Sequence, residues 1–178
     1  MPTPRQILSV NRLIPRKRVD WVLRAVGALT PEERLRIEVK IAGSGPERVR
    51  LETMARELDI AKRVFFLGEV SSKELEGLYL RADLFILASR AEGFSNALLE
   101  AMAYGLPCLA ATPTGFHDVD EALVAFDSPQ DLARCIRLLF GDSGVYGERS
   151  RACLEASSRY SWEKAAERYR DLLLDVSG

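Results

Sequence analysis

Apolar residues recur along this chain with two periods, about two and about three and a half, and the periods take turns. Residues 6–10 (Gln6-Ile7-Leu8-Ser9-Val10) read as a strand, and Val19, Val22, Leu23, Val26 and Leu29 then follow at helical spacing. Residues 36–42 alternate charged and apolar side chains as a half-buried strand does. Gly43-Ser44-Gly45-Pro46 turns the chain, with Pro46 suited to a first helical position, and Leu51, Met54, Ala55 and Leu58 line one face of a helix to about residue 58. A third strand is expected over 63–68. Ser71 and Glu74 form a capping box that opens the next helix, whose Tyr79 and Leu80 are expected to pack on the sheet. Two wholly apolar runs, 84–87 and 108–111, read as buried strands. Between them Ser95 suits an N-cap and Gly105 a C-cap, and Pro107 stops the helix. A sixth strand is expected over 122–126 and an amphipathic helix over 129–140. Gly141-Asp142-Ser143-Gly144 breaks that helix, and another runs to about residue 157. From Ser161 a last helix carries Trp162, Ala165, Ala166, Tyr169, Leu172, Leu173 and Val176 along one stripe.

Strands and helices that alternate through short connections imply a parallel sheet with helices on both faces. The expected fold class is therefore α/β: a single Rossmann-like doubly wound parallel sheet of about six strands, with C-terminal helices, in one domain over 1–178. Composition agrees. At 178 residues, 47% hydrophobic and 29% charged, the chain is an ordinary globular one, large enough for a real core. A net charge of −1 gives no global sign of nucleic-acid or anionic-membrane binding. Cys108, Cys135 and Cys153 lack metal-ligand spacing and suggest a reducing compartment. No apolar run approaches the ~20 residues of a membrane span and no signal peptide opens the chain, so a cytoplasmic location is expected.

Charge is uneven, and that changes the picture. Residues 1–30 carry six Lys and Arg against one Asp, several of them in the loop after the first strand. From charge alone, an anion site and a solvated basic face are equally good readings. The helix that starts at Ser95 directly after a strand presents amides and positive dipole, which suits phosphate. Glu92 and Glu100 stand around that start, so a ligand with both phosphate and hydroxyl groups would fit. Gly43-Ser44-Gly45 lacks the third glycine of a dinucleotide fingerprint and reads first as a turn. His117 is the only histidine. It sits in a loop with no evident carboxylate to orient it, so catalysis by it is the weaker reading.

The run Glu92-Gly93-Phe94-Ser95-Asn96-Ala97-Leu98-Leu99-Glu100-Ala101-Met102-Ala103 resembles the E-x7-E signature of retaining glycosyltransferases of family four, the group 1 glycosyltransferases. Ala82-Asp83-Leu84-Phe85-Ile86-Leu87-Ala88-Ser89-Arg90 and Gly105-Leu106-Pro107 fit the family's phrasing too. The likeness covers nearly the whole chain but only the C-terminal, donor-binding half of a typical two-Rossmann-domain member. It implies that Arg12 and Lys17 grip the donor's diphosphate and that backbone near Val70 holds the base. Gly93, Phe94, Ser95, Asn96 and Ala97 would line the phosphates, Glu100 would take the ribose hydroxyls and Glu92 would orient the donor sugar. Arg12, Lys17 and Glu92 are thus the expected catalytic residues. The reaction implied is hexosyl transfer with retention. The expected partners are a nucleotide-sugar donor and the missing N-terminal acceptor-binding domain, with no nucleic acid.

With fixed cations on the diphosphate, neither cofactor nor metal is expected. Two departures stand out. Arg18 replaces the usual Gly after Lys17, and Phe116 with His117-Asp118 replaces a second Gly and a Pro-Glu, which leaves the acceptor side open. The alternatives are a non-catalytic nucleotide-sugar binding module and a nucleotide-sugar epimerase-like enzyme. The Arg12/Lys17 and Glu92/Glu100 combination disfavours the epimerase.

Overall fold

The computed structural model describes residues 4–89, 95–111 and 121–160. Six strands form one sheet in the order β3-β2-β1-β4-β5-β6. They are β1 (Arg5–Val10), β2 (Ile37–Ala42), β3 (Val64–Gly68), β4 (Leu84–Leu87), β5 (Cys108–Ala111) and β6 (Val124–Phe126). Every neighbouring pair is parallel. The chain winds outward from β1 to one edge, then returns to β4 beside β1 and winds to the other. Loops after β1 and β4 therefore diverge, leaving a crevice at the carboxyl ends of those strands.

The period-two pattern in the strands explains the layers. Ile7, Val39, Ile41, Leu84, Ile86 and Leu109 face one core, completed by α1 (Val19–Gly27), α3 (Arg48–Glu57) and α6 (Pro129–Gly141). Leu8, Phe85, Leu87, Cys108 and Ala110 face the other, completed by α4 (Ser72–Arg81), α5 (Asn96–Ala103) and α7 (Ser143–Ser157). β4 and β5 are buried on both faces, which is why their sequences show no polar alternation.

Several local expectations hold. Ser71 and Glu74 make the capping box at the start of α4. Ser95 Oγ accepts from the Leu98 amide, and Gly105 sits past the end of α5 at φ 70°. Others needed correction. Pro46 lies in the turn, and α3 starts two residues later behind Glu47. The helix expected over 19–29 ends at Gly27. Thr30 and Glu33 then cap a short separate helix, α2 (Pro31–Leu35). Tyr79 packs into the sheet as expected, but Leu80 points outward and is 68% exposed. The strand expected over 122–126 is shorter, although Ala122 and Leu123 are buried. The stripe from Trp162 to Val176, the loop around His117 and residues Glu92 to Phe94 lie outside the described residues.

Glu33 also ties α2 to α6. Its Oε2 accepts from the Thr30 amide at 2.8 Å, and its Oε1 accepts from Arg137 Nε at 2.8 Å. Arg137 Nη2 in turn donates to Ala28 O at 3.0 Å. The Arg137 hydrogen bond holds the Glu33 carboxyl below the usual carboxylate range. A depressed carboxyl stabilises the fold above its unfolded-state pKa and loses that contribution as pH falls through the folded value. Glu33→Gln is expected to cost about 0.5–1 kcal/mol near neutrality, or about 1–4 °C in melting temperature. The gap between variant and wild type should close in melts as pH falls through the lowered folded-state value of Glu33 and its carboxyl becomes neutral.

Candidate functional site

A cavity of about 890 Å³ opens at the carboxyl ends of β1, β2 and β3, beside the start of α5. That volume lies within the ~300–1,000 Å³ of typical small-molecule sites. Four loops build it. The β1 loop contributes Asn11, Arg12, Ile14, Arg16 and Lys17, and the β2 loop contributes Gly43, Ser44 and Gly45. Glu69 and Val70 come from the β3 loop, and Ser95, Asn96 and Ala97 from the start of α5.

Backbone hydrogen bonds hold the first two loops together. The Asn11 amide donates to Ala42 O at 2.9 Å and the Leu13 amide to Ser44 O at 2.8 Å, while the Glu47 amide donates to Leu13 O at 3.0 Å. The Gly43 amide donates to Gly68 O at 2.7 Å, which ties in the β3 loop. Gly43 is required by this packing. At φ 125°, a Cβ there would stand 1.9 Å from Asn11 O, and one on Gly45 would stand 2.4 Å from Leu13 O. Sequence reasoning read Gly43-Ser44-Gly45 first as a turn; the structure makes it a wall of the cavity as well.

The basic loop winds through a 3-10 turn over Pro15–Lys17 and then through Arg18 at φ 49°, ψ 39°. That is the left-handed conformation glycine adopts readily, and here an arginine holds it. The Arg18 guanidinium stacks 4.6 Å from the Trp21 ring, an attraction that offsets part of the conformational cost. Beneath the loop, buried Ser9 donates to Ile86 O at 3.0 Å and receives Asn11 Nδ2 at 2.8 Å. Ser89 Oγ donates to Arg16 O at 3.3 Å. These bonds join the ends of β1 and β4 to the loop that carries the cations.

Opposite stands the open end of α5. The Asn96 and Ala97 amides precede the first i→i−4 bond of the helix, so this end carries partial positive charge toward the cavity. Arg12, Lys17, Val70, Ser95, Asn96 and Ala97 therefore line one space.

Glu100 differs. It lies one turn further along α5, is exposed, and is not part of the cavity wall. Its Oε2 accepts the Tyr79 hydroxyl at 3.0 Å. Burial, and then the neighbouring carboxylate, push the Tyr79 phenol well above its ordinary range, so its proton stays in place to be donated. Glu92, Gly93 and Phe94 lie outside the described residues.

Asn11 and Arg16, offered by the sequence only within the basic loop, and Ser44, offered only within the glycine turn, line the cavity too, as does Glu69, which was not singled out. Ser44 Oγ donates to Glu69 Oε1 at 2.7 Å, which ties a carboxylate of the cavity lining to the β2 loop. The available signal was position: each follows the carboxyl end of a strand or lies in the basic loop. Among the described residues, no cluster of His, Cys, Asp and Glu has the makings of a metal site. No helix among them is long and apolar enough to cross a membrane.

Residues 2–160 match the family model for glycosyl transferases group 1. An uncharacterized glycosyltransferase of Methanocaldococcus jannaschii is 31% identical over 169 residues, which span 92% of this chain and 43% of that protein. A D-inositol 3-phosphate glycosyltransferase of Mycobacterium marinum is 32% identical over 185 residues, spanning 93% of this chain and 37% of that protein. The chain thus spans less than half the length of these curated relatives. Among solved structures, Anabaena HepE in complex with UDP aligns at TM-score 0.87 and 22% identity, over 97% of this chain and 49% of that one. WaaG, a glycosyltransferase involved in lipopolysaccharide biosynthesis, aligns at TM-score 0.82 and 22% identity, over 97% of this chain and 47% of that one. At such identities the likeness is one of fold.

Proposed function

The chain belongs to the glycosyl transferases group 1 family, and from that premise we propose that its cavity binds a nucleoside-diphosphate sugar for glycosyl transfer. The single observation that carries this reading is the convergence of the Arg12–Lys17 loop and the open end of α5 on one cavity. A diphosphate lying between them meets two side-chain cations and a helix terminus. Arg12 can fork two hydrogen bonds onto phosphate oxygens, whereas Lys17 supplies a compact charge.

The chemistry follows from where charge develops. As the bond from the anomeric carbon to the β-phosphate lengthens, the sugar becomes cationic and the departing phosphate gains negative charge. Fixed donors aimed at that oxygen stabilise the transition state more than the ground state. On this reading Arg12, Lys17 and the α5 amides act on the leaving group, with no divalent metal or other cofactor. Glu100 takes the ribose hydroxyls, backbone at Val70 takes the base and Glu92 orients the donor sugar. The transferred group is a hexose and its anomeric configuration is retained.

The acceptor comes from a second domain. That part of the proposal is supported by the chain spanning less than half of its curated relatives, whose remaining length has room for one. Cys108, Cys135 and Cys153 are free and buried, in keeping with a cytoplasmic setting for the reaction.

Calorimetric titration of the 178-residue chain with uridine, guanosine and adenosine diphosphates and their sugars tests the reading. One nucleotide series is expected to bind, with affinity unchanged by excess chelator and with little or no transfer by this polypeptide alone. Failure of all three series to bind would overturn the proposal. Binding abolished by the chelator would overturn its metal-free form.

A further inference from the structure

α4 and α5 pack on the same face of the sheet, and the Tyr79 side chain of α4 reaches α5. Tyr79 is 2% exposed, and its ring lies between Tyr104, stacked at 5.3 Å, and Phe85 at 6.2 Å. From that fixed ring the phenolic oxygen stands 3.0 Å from Glu100 Oε2 and 3.2 Å from Ala97 O. Both acceptors belong to the first two turns of α5. Ala97 lines the cavity, and so does Leu75, one turn before Tyr79 on α4.

We propose that Tyr79 is a positioning residue for donor binding: its hydroxyl, lodged between α4 and α5, fixes the Glu100 carboxylate one helical turn along α5 from the residues that line the cavity. The inference rests on reading Glu100 as the acceptor for the donor's ribose hydroxyls. Glu100 is an exposed side chain with three rotatable bonds, and left alone it would spend its time among many rotamers. A buried, rigid donor on one oxygen removes most of that freedom and leaves Oε1 to meet the ligand. The same hydroxyl also stands 3.2 Å from the carbonyl of Ala97, but its single proton goes to the nearer, charged acceptor, the Glu100 carboxylate. Such a link acts on the ribose specifically. It has no reason to alter affinity for a nucleotide that lacks the hydroxyls.

The test compares the tightest-binding of the uridine, guanosine and adenosine diphosphates with its 2′,3′-dideoxy analogue. Affinities are measured by calorimetry for wild type, Tyr79→Phe, Glu100→Ala and the double variant. The wild type is expected to prefer the ribonucleotide by about 10- to 150-fold, the range of hydrogen bonds to a charged group. Glu100→Ala should remove that preference. Tyr79→Phe keeps both ring contacts and should lower the preference by about three- to tenfold, leaving dideoxy affinity within about twofold of wild type. The double variant should match Glu100→Ala alone, because residues that act through one another are not additive.

Equal losses for both nucleotides in Tyr79→Phe would mark a merely structural tyrosine and overturn the inference. So would a preference kept in Tyr79→Phe while Glu100→Ala loses it. A wild type without preference, or a preference that survives Glu100→Ala, would instead overturn the ribose role of Glu100, and this inference with it.

Discussion

Gly43→Ala is expected to destabilise the chain by on the order of 3 kcal/mol or more, the largest effect of any single methyl group added near the site. Two costs combine. Gly43 sits at φ 125°, where L side chains are strained, and its added Cβ would lie 1.9 Å from the Asn11 carbonyl oxygen. That oxygen belongs to backbone, so no side-chain rotation relieves the clash and the β1 and β2 loops must part. Their parting breaks the Asn11–Ala42 and Leu13–Ser44 hydrogen bonds that hold Arg12 in place. Donor affinity should therefore fall together with stability.

Urea unfolding checks the first effect and calorimetry the second, with Gly147→Ala as the control. Gly147 lies inside α7 with nothing within 4 Å of an added Cβ, so alanine there should be neutral or stabilise by about 0.5–1 kcal/mol. A Gly43→Ala protein as stable as wild type would mean that the two loops are not packed as described.

Removing the loop cations comes next in size. Arg12→Ala and Lys17→Ala are each expected to weaken nucleoside-diphosphate binding by about 10- to 150-fold, corresponding to about 1.5–3 kcal/mol for a hydrogen bond to a charged group. Three features identify the effect as electrostatic and local. Affinity for the corresponding nucleoside, which carries no phosphate, should change little. Wild-type affinity should fall as salt is raised, and less steeply in each variant, since screening acts on the charge that has been removed. Arg24→Ala should bind as wild type does, because Arg24 lies on α1 outside the cavity, half exposed beside Asp20. If Arg12→Ala and Lys17→Ala bind the diphosphate as tightly as wild type, the pyrophosphate does not lie against this loop.

Much of the architecture was legible before any coordinates. The strands at 84–87 and 108–111 coincide with β4 and β5, and the caps at Ser71 and Ser95 stand where expected. Apolar period and capping are short-range properties, readable from a few neighbouring residues. Errors cluster where a local signal was overridden or went unread. Pro46 satisfies helix-start chemistry but is held in the turn that packs against Leu13. The Thr30-Pro31-Glu32-Glu33 capping box was present in the sequence, masked by the apolar spacing that runs on to Leu29.

By itself the sequence determined that strands and helices alternate, which faces of them are apolar, and that a basic loop and an E-x7-E run both follow strands. A parallel, doubly wound sheet follows from those facts, because short right-handed crossovers leave few other arrangements. Tertiary structure alone decided which loops share a cavity. Gly43 against Asn11, Ser44 against Glu69 and Tyr79 against Glu100 are separated by 21 to 32 positions in the chain. Local preference carries no term for such pairs; they are set by strand order and by the close approach of backbones and rings once the sheet has formed.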